Sequence, residues 1–192
     1  MPKKGEGNRR RIVEAANRLF YERGFHRTAL ADIAAASQIP KGNFYFYFRT
    51  KDEILDAVVD ARCERLRVRL DDWERKRPDP IDRLRRMSEI VVRDWAEVVR
   101  YGCPMGTLVL ELGKQEADLK VHAVRMFEML VDWAEAQFAK ALGKRAARRH
   151  ARQLLVRMQG AAVLASALGD KSWLFDEQRA IADWLDRLRP DR

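Results

Sequence analysis

A run of polar and aromatic side chains between residues 41 and 47 carries the groups with which this chain could recognise another molecule. In order they are Lys41, Gly42, Asn43, Tyr45, Phe46 and Tyr47. An amide and a cation can hydrogen-bond to base edges, phenols can contact phosphates, and a ring face can contact a thymine methyl group. A glycine among them would allow a close approach to the DNA backbone. The composition of this run therefore predicts contact with the DNA major groove.

Two short helices joined by a tight turn are predicted to position these side chains. The first would begin at Thr28 as N-cap and bury an apolar i, i+3, i+4 set that begins at Leu30. The turn spans residues 37 to 39, and Pro40 suits the first turn of a second helix that extends to Phe48. Phe44 and Phe48 are one helical turn apart and are expected to face the core. The stretch is thus interpreted as a helix-turn-helix.

Helices on either side would brace this motif. Upstream, apolar residues from Ile12 to Phe20 predict a helix that ends at Gly24, preceded by a mobile arm over residues 1–8. Downstream, Thr50 and Glu53 form a capping box that starts a helix of about two dozen residues, with Lys51 at its start. Two prolines within residues 76–80 end that helix. It is long enough to connect the motif to a second domain.

Residues 9–60 closely resemble the DNA-binding domain of the TetR family of bacterial transcriptional regulators. The resemblance depends on the first-helix pattern, the Gly24-Phe25 stop, Thr28, the Pro-Lys-Gly-Asn-Phe-Tyr block, Tyr47-Phe48 and Lys51. Gln38 departs from the glycine common at this turn, which predicts a non-glycine residue in the left-handed conformation. The resemblance and helical geometry together assign DNA contacts to Thr28, Lys41, Gly42, Asn43, Tyr45, Phe46, Tyr47 and Lys51.

The hydrophobic pattern of the whole chain predicts an all-α fold of about nine helices. Residues 1–50 would form the three-helix DNA-binding domain. Residues 51–192 would form a helical bundle for effector binding and dimerisation, beginning with the connecting helix. Residues 102–113 predict a short helix buried on several sides, because they are almost wholly apolar.

Charge and composition exclude several other classes of protein. The net charge is +9, and residues 1–50 hold ten basic against four acidic residues, a local excess of +6. This distribution is typical of a nucleic-acid-binding protein. No apolar run is long enough to span a bilayer, so we expect a cytoplasmic protein with no membrane partner. Cys63 and Cys103 match neither a disulfide framework nor a zinc site, and we expect no metal, cofactor or enzymatic activity.

Two sets of apolar residues in the second domain are candidates for ligand binding and dimerisation. The resemblance implies a cavity for an apolar or amphipathic small-molecule effector, and its candidate lining residues are Trp95, Tyr101, Cys103, Met105, Leu108, Met126, Met129 and Trp133. For each of these residues taken singly, a place in the core is the simpler interpretation. The last two helices carry more large apolar side chains than a monomer would usually leave on terminal helices, which favours a homodimer. Its candidate interface residues are Leu155, Met158, Ala162, Trp173, Phe175, Ile181, Trp184 and Leu188.

These features favour a ligand-responsive repressor that binds a palindromic double-stranded DNA operator as a dimer and leaves it when a small effector binds. Two alternatives stay open. Cys103 lies in a segment similar to one through which some TetR-like regulators sense electrophiles or oxidants. A ligand-blind architectural DNA-binding protein is the other, although it would not need a large, methionine-rich second domain.

Overall fold

A computed structural model describes residues 4–113 and 117–189, and every regular element in these ranges is a helix. The first four are α1 (Lys4–Arg23), α2 (Leu30–Ser37), α3 (Lys41–Phe44) and α4 (Lys51–Lys76). They are followed by α5 (Pro80–Ser88), α6 (Ile90–Arg93), α7 (Trp95–Tyr101) and α8 (Gly106–Leu112). The last three are α9 (Ala117–Leu142), α10 (Lys144–Leu168) and α11 (Ser172–Arg187). The predicted all-α fold is confirmed.

The helix predicted from residue 81 to Tyr101 is interrupted twice. Glu89 separates α5 from α6, and Asp94, with φ −110° and ψ 37°, separates α6 from α7. The Ser88 hydroxyl donates to the Arg85 carbonyl at 2.7 Å, so a side chain competes for main-chain acceptors at the first break. Counting α5 to α7 as one interrupted helix gives nine in the described ranges, the predicted number.

The ends of most helices lie where the sequence indicates. Gly24, Gly143 and Gly169 have φ of +90°, +82° and +66° and follow α1, α9 and α10 respectively. Asp79 caps α5 by accepting from the Ile81 N–H at 2.7 Å. The start of α1 differs from the prediction. Residues 4–8, which were predicted to be part of an arm, are helical, so α1 begins earlier than expected. Residues 1–3 of the predicted arm lie outside the described residues.

The chain forms two compact units that are not continuous in sequence. The first comprises residues 1–65 and 107–126, and the second comprises residues 66–106 and 127–192. Helices α4 and α9 each contribute residues to both units. The division of function between residues 1–50 and 51–192 remains a proposal.

In the first unit, α1 packs on α2, and α4 is tied to α1 and α9 by polar side chains. Arg62 Nε donates to Asn17 Oδ1 at 2.6 Å, joining α4 to α1. Arg125 donates to Asp60 at 2.7 Å, joining α9 to α4. Beneath these contacts lies a core that includes Ile12, Ile54 and Leu55, all fully buried. Polar contacts between α1, α4 and α9 are therefore combined with a buried apolar core in this unit.

In the second unit, α10 packs along α11 and α7, and α11 packs on α5 and α6. The inner face of α10 consists largely of alanines, including Ala151, Ala162 and Ala165, all fully buried. Their small side chains allow neighbouring helices to approach closely. Helices α7 and α11 can therefore lie close against α10.

Candidate nucleic-acid interface

The reading segment, residues 28–51, adopts a helix, a left-handed turn and a second short helix. Gln38 has φ 55° and ψ 35°, and it is the one non-glycine residue with positive φ among those described. Its N–H donates to the Ala35 carbonyl at 3.1 Å, and the Ile39 N–H donates to the Ala34 carbonyl at 3.3 Å. These bonds close the end of α2 with the geometry that glycine usually provides. The predicted left-handed conformation at Gln38 is confirmed.

The second helix of the motif is shorter than predicted. Helix α3 ends at Phe44, and residues 45–47 continue as turns. One further α-helical bond, from the Phe48 N–H to the Phe44 carbonyl at 3.3 Å, keeps the two phenylalanines one turn apart. Both are buried, at 1% and 2% exposure, together with Ile39. The inward anchoring of the segment is therefore as the spacing predicts.

The opposite side of this segment faces outward. Phe46 is 84% exposed and Tyr45 is 57% exposed, and Gly42 and Asn43 are also exposed. A Cβ placed on Gly42 would meet no atom within 4 Å, so the fold itself does not require glycine there. The side chain of Lys41 lies outside what the structure describes. An amide, a phenol and a phenyl ring thus share one accessible surface.

Tyr47 and Phe48 are held from the side by the start of α1. Asn8 Nδ2 donates to the Tyr47 hydroxyl oxygen at 3.1 Å, which leaves the phenolic hydrogen able to donate elsewhere. The guanidinium carbon of Arg9 lies 4.9 Å from the centre of the Phe48 ring. Sequence reasoning missed Asn8, because it assigned residues 1–8 to an arm. Residues 4–8 carry no apolar side chain whose spacing could have indicated a helix.

Thr28 does not have either of its predicted roles. Its side chain is fully buried, and its hydroxyl donates to the Gly24 carbonyl at 2.7 Å, which leaves no surface for a phosphate contact. The N-cap of α2 is Ala29, whose N–H donates to Asp32 Oδ2 at 2.9 Å. The threonine instead closes the connection between α1 and α2. Thr28 is therefore removed from the candidate DNA contacts.

The capping box predicted at the start of α4 forms with one changed partner, and Lys51 beside it contacts Phe25. Lys51 Nζ donates to the Phe25 carbonyl at 3.0 Å and lies 4.2 Å above the Phe25 ring centre. An ammonium has three donors, so a phosphate contact by Lys51 is still possible. Thr50 Oγ1 accepts from the Glu53 N–H at 3.1 Å, whereas Glu53 Oε2 accepts from Arg49 instead of Thr50. The helix start is thus capped as predicted, with the reciprocal bond one residue earlier.

Comparison with known proteins identifies this arrangement. Residues 12–58 match the sequence profile described as "Bacterial regulatory proteins, tetR family". Residues 12–58 therefore carry the DNA-binding segment of the TetR family. A Lactococcus lactis protein named as an uncharacterised helix-turn-helix transcriptional regulator is 31% identical over 122 residues, 62% of each chain. The transcriptional repressor DhaR of a Mycobacterium species is 27% identical over 124 residues, 64% of this chain and 61% of DhaR.

A structural match extends over the full length of the chain. A TetR-family transcriptional regulator from Cytophaga hutchinsonii superposes with a TM-score of 0.84 and 16% identity, and the match covers 100% of both chains. At this identity the likeness shows the fold. The sequence matches span less than two thirds of the length of the relatives named above.

The relatives named above are both named as transcriptional regulators. The three histidines of this chain, His26, His122 and His150, lie on the α1–α2 connection, α9 and α10, respectively. In the described ranges, no three potential metal-ligating side chains cluster as an ion would require. No helix in those ranges is both long enough and apolar enough to cross a bilayer.

The effector-pocket residues that the TetR resemblance implies differ in their surroundings. Cys103, Leu108 and Met126 are buried, and the last two belong to the first compact unit. Trp95 is 38% exposed and its ring lies beneath Lys171 Nζ at 4.8 Å, so it is a surface residue and not an enclosed pocket lining. The remaining four are half-buried: Tyr101, Met105, Met129 and Trp133.

The Trp133 indole nitrogen is buried and has no hydrogen-bond partner within the described part of the chain. Its ring meets that of Trp73 edge to face, with 6.0 Å between the ring centres. An indole N–H can only donate, so any partner it finds must supply an acceptor.

The helix predicted for residues 102–113 is not buried all round. Leu108 and Leu112 are inside, but Leu110 is 64% exposed. Cys103 lies three residues before α8 begins, and a Cβ on Gly106 would be 3.9 Å from its Sγ. The cysteine is only 8% exposed, which limits access of an electrophile to its sulfur.

The predicted dimer residues fall into two groups. Leu155, Met158, Ala162 and Ile181 are at most 6% exposed and pack inside the second unit, so they cannot form a surface between subunits. Trp184 and Leu188 are half-buried against the same core. Trp173 and Phe175 are 43% and 37% exposed and remain available. Helical periodicity identifies the apolar positions of these helices but cannot separate a face that packs in the monomer core from one that is exposed.

A different apolar row occupies the outer face of α10. Val156, Val163, Leu164 and Leu168 are 70%, 56%, 41% and 60% exposed. Their spacing of 7, 1 and 4 residues places them on one side of a helix. Together with the exposed Trp173 and Phe175 of α11, these residues are called the α10–α11 face; the sequence prediction included only the two aromatic residues among them. Large apolar side chains left exposed in this way commonly mark an interaction site.

Proposed function

We propose that this TetR-family protein is a cytoplasmic, ligand-responsive transcriptional repressor that binds a palindromic operator as a homodimer. The observation that carries the proposal is the outward surface of the reading segment. There, Asn43, Tyr45 and Phe46 are exposed while Phe44 and Phe48 anchor the same segment in the core. A fold that needed only a helical core would not expose two large aromatic rings beside an amide.

The proposed division of contacts follows from the chemistry of each group. Asn43 and Lys41 would approach base edges, where an amide pairs best with adenine and a cation with guanine. Tyr45, Tyr47 and Lys51 would hold phosphates, which fix the register of the protein on the duplex. Gly42 would allow close approach to the DNA, because the space in front of it is open.

Dimerisation would give the binding its selectivity. One reading segment contacts few base pairs, whereas a symmetric dimer reads two half-sites separated by about 34–36 Å or a multiple of that distance. We propose the α10–α11 face as the dimer interface, because its exposed apolar residues would be buried against a second copy. The operator would then share the twofold symmetry of the protein.

An apolar or amphipathic effector is proposed to relieve repression. Met105, Met129 and Trp133 supply adaptable apolar surface and one buried donor, which suits a ligand with an apolar body and a single acceptor. A ligand that favours the conformation with unsuitable half-site spacing lowers DNA affinity by the ratio of its affinities for the two states. Repression as the mode of action is supported by the name of the relative DhaR.

A footprint on DNA flanking the protein's own coding region tests this function. The protected sequence should be palindromic, and its affinity should exceed that of random duplex by at least about 10³ at the same salt concentration. Screening a small-molecule library against that complex should find compounds that release it. Equal binding to both duplexes would instead indicate a ligand-blind architectural protein. Asn43→Ala should weaken operator binding and leave random-duplex binding nearly unchanged, because an amide contact to a base edge is sequence-specific.

A further inference from the structure

The connection between α1 and α2, residues 24–28, is fixed by a carboxylate that lies far away in the sequence. Glu111 Oε2 accepts from the Phe25 N–H at 2.9 Å, and Oε1 accepts from the His26 N–H at 2.9 Å. Neither N–H has a place in a helix, because the connection lies between α1 and α2. One side chain of α8 thus satisfies two successive main-chain donors with charge-assisted hydrogen bonds.

Gly24 makes this contact possible. Its φ of +90° ends α1, and a Cβ at this position would lie 2.9 Å from Glu111 Oε1 and 3.0 Å from Oε2. Any side chain here would therefore displace the carboxylate in addition to straining the main chain. The glycine serves both the turn and the close approach of Glu111.

The same connection is joined to the reading segment from its other side. Lys51, the first residue of α4, donates to the Phe25 carbonyl at 3.0 Å. The Thr28 hydroxyl donates to the Gly24 carbonyl at 2.7 Å, immediately before α2 begins. The Phe25 ring is 2% exposed and packs edge to face on Phe20, with 5.2 Å between centres. Movement of Glu111 would therefore disturb a connection that is hydrogen-bonded both to the residue preceding α2 and to the start of α4.

We propose that Glu111 is a positioning residue for DNA recognition: through it, α8 holds the reading segment in the orientation that binds the operator. The inference rests on the proposed function. Helix α8 begins at a boundary between the two units. Residues 66–106 belong to the second unit, and residues 107–126 belong to the first. Met105, one of the residues proposed to contact the effector, directly precedes α8. Withdrawal of α8 would release both main-chain donors and lower operator affinity.

The charge of Glu111 separates positioning from simple electrostatics. A carboxylate repels DNA phosphates, so its neutralisation alone should strengthen DNA binding slightly. A positioning role predicts the opposite sign for operator DNA, because the reading segment loses its restraint. Glu111→Gln is therefore informative, and Glu22→Gln, at an exposed glutamate of α1, is the matched control for the charge change. Glu111→Asp keeps the charge but shortens the side chain by one methylene, so it cannot reach both donors.

The test measures affinity for the footprinted operator and for random duplex, together with hydrogen exchange at the Phe25 and His26 amides. Glu111→Gln and Glu111→Asp should bind the operator about tenfold more weakly than Glu22→Gln. All three variants should bind random duplex alike to within about twofold, the size expected from one charge. Exchange should accelerate at both amides.

Operator affinity of both Glu111 variants equal to that of Glu22→Gln would overturn the proposal. So would an equal loss on operator and random duplex, which indicates damage to the fold, and so would unchanged protection of the two amides. Should Glu111→Gln fail to fold, Glu111→Asp decides by the same comparison. Failure of the proposed function gives a different result: the wild-type protein itself would not prefer the footprinted operator. If the wild-type protein does prefer it and only the Glu111 variants are unchanged, the positioning proposal alone fails.

Discussion

Phe46 provides a quantitative test of how the reading segment contacts DNA. Its ring is 84% exposed, so nearly all of its apolar surface is available to a partner. If the ring covers one thymine methyl group in each half-site, replacing both thymines by deoxyuridine removes two buried methyl groups. At about 0.8 kcal/mol for each methyl group, the loss is about 1.6 kcal/mol. This corresponds to roughly 15-fold weaker binding, since 1.4 kcal/mol is tenfold.

The assay is a scan of the footprinted operator in which symmetry-related thymines are replaced by deoxyuridine one pair at a time. One pair should show the roughly 15-fold loss with wild-type protein. With Phe46→Ala the same replacement should have little effect, because the covering ring is gone. A thermodynamic cycle formed by the two proteins and two duplexes isolates this contact. Equal losses with both proteins at every pair would refute the assignment of Phe46 to a methyl group.

Three further predictions concern the turn, the dimer and pH. Gln38→Gly should raise the free energy of unfolding by about 0.5–1 kcal/mol. A left-handed backbone costs a non-glycine residue about 1–2 kcal/mol, and glycine offsets part of that gain because it loses about 0.5–1 kcal/mol more conformational entropy on folding. Gln38→Ala keeps the backbone strain, so it should change little in the same denaturant titration. Leu164→Glu should shift sedimentation toward the monomer and weaken operator binding. The control Val68→Glu, at a 55% exposed valine of α4, should do neither. A dimer unchanged by Leu164→Glu would exclude the α10–α11 face as the dimer interface. Burial lowers the pKa of His150, and Arg149 lowers it further, so the folded state disfavours the protonated ring. Because the unfolded chain then binds more protons, stability should decrease as pH falls below the ordinary histidine pKa of about 6.5 and toward the lowered one. His150→Phe should flatten the melting temperature between pH 7.5 and 5.5, and a slope equal to that of wild type would contradict this assignment.

The reading segment illustrates which features of a site can be predicted from sequence. Phe44 and Phe48 are buried because their spacing matches one helical turn, and Gln38 is left-handed because the turn between the helices requires it. Both depend on interactions within a few residues. The failed assignment of Thr28 has a longer-range cause, since a threonine before a helix can either cap it or turn inward. Its hydroxyl found the Gly24 carbonyl, and Asp32 supplied the cap instead.

The outer face of α10 shows the same limit at the level of packing. Its buried alanines and its exposed Val163 and Leu164 are all apolar, so composition cannot say which side meets the monomer core. The prediction consequently assigned core residues such as Met158 to the dimer interface. The neighbours of α10, which are α7 and α11, decide which side is covered. Exposure in the folded chain, rather than periodicity, identifies the residues available to a second subunit.

The sequence by itself determined most of the helices, the residues at which most of them end, the helix-turn-helix segment and its resemblance to the TetR family. These properties are local, because helix periodicity, glycine and proline act over a few residues. Only the tertiary structure decided that Glu111 binds the Phe25 and His26 amides, 86 and 85 residues away. A carboxylate on a helix can meet many donors, and only the packing of α8 against the α1–α2 connection selects these two.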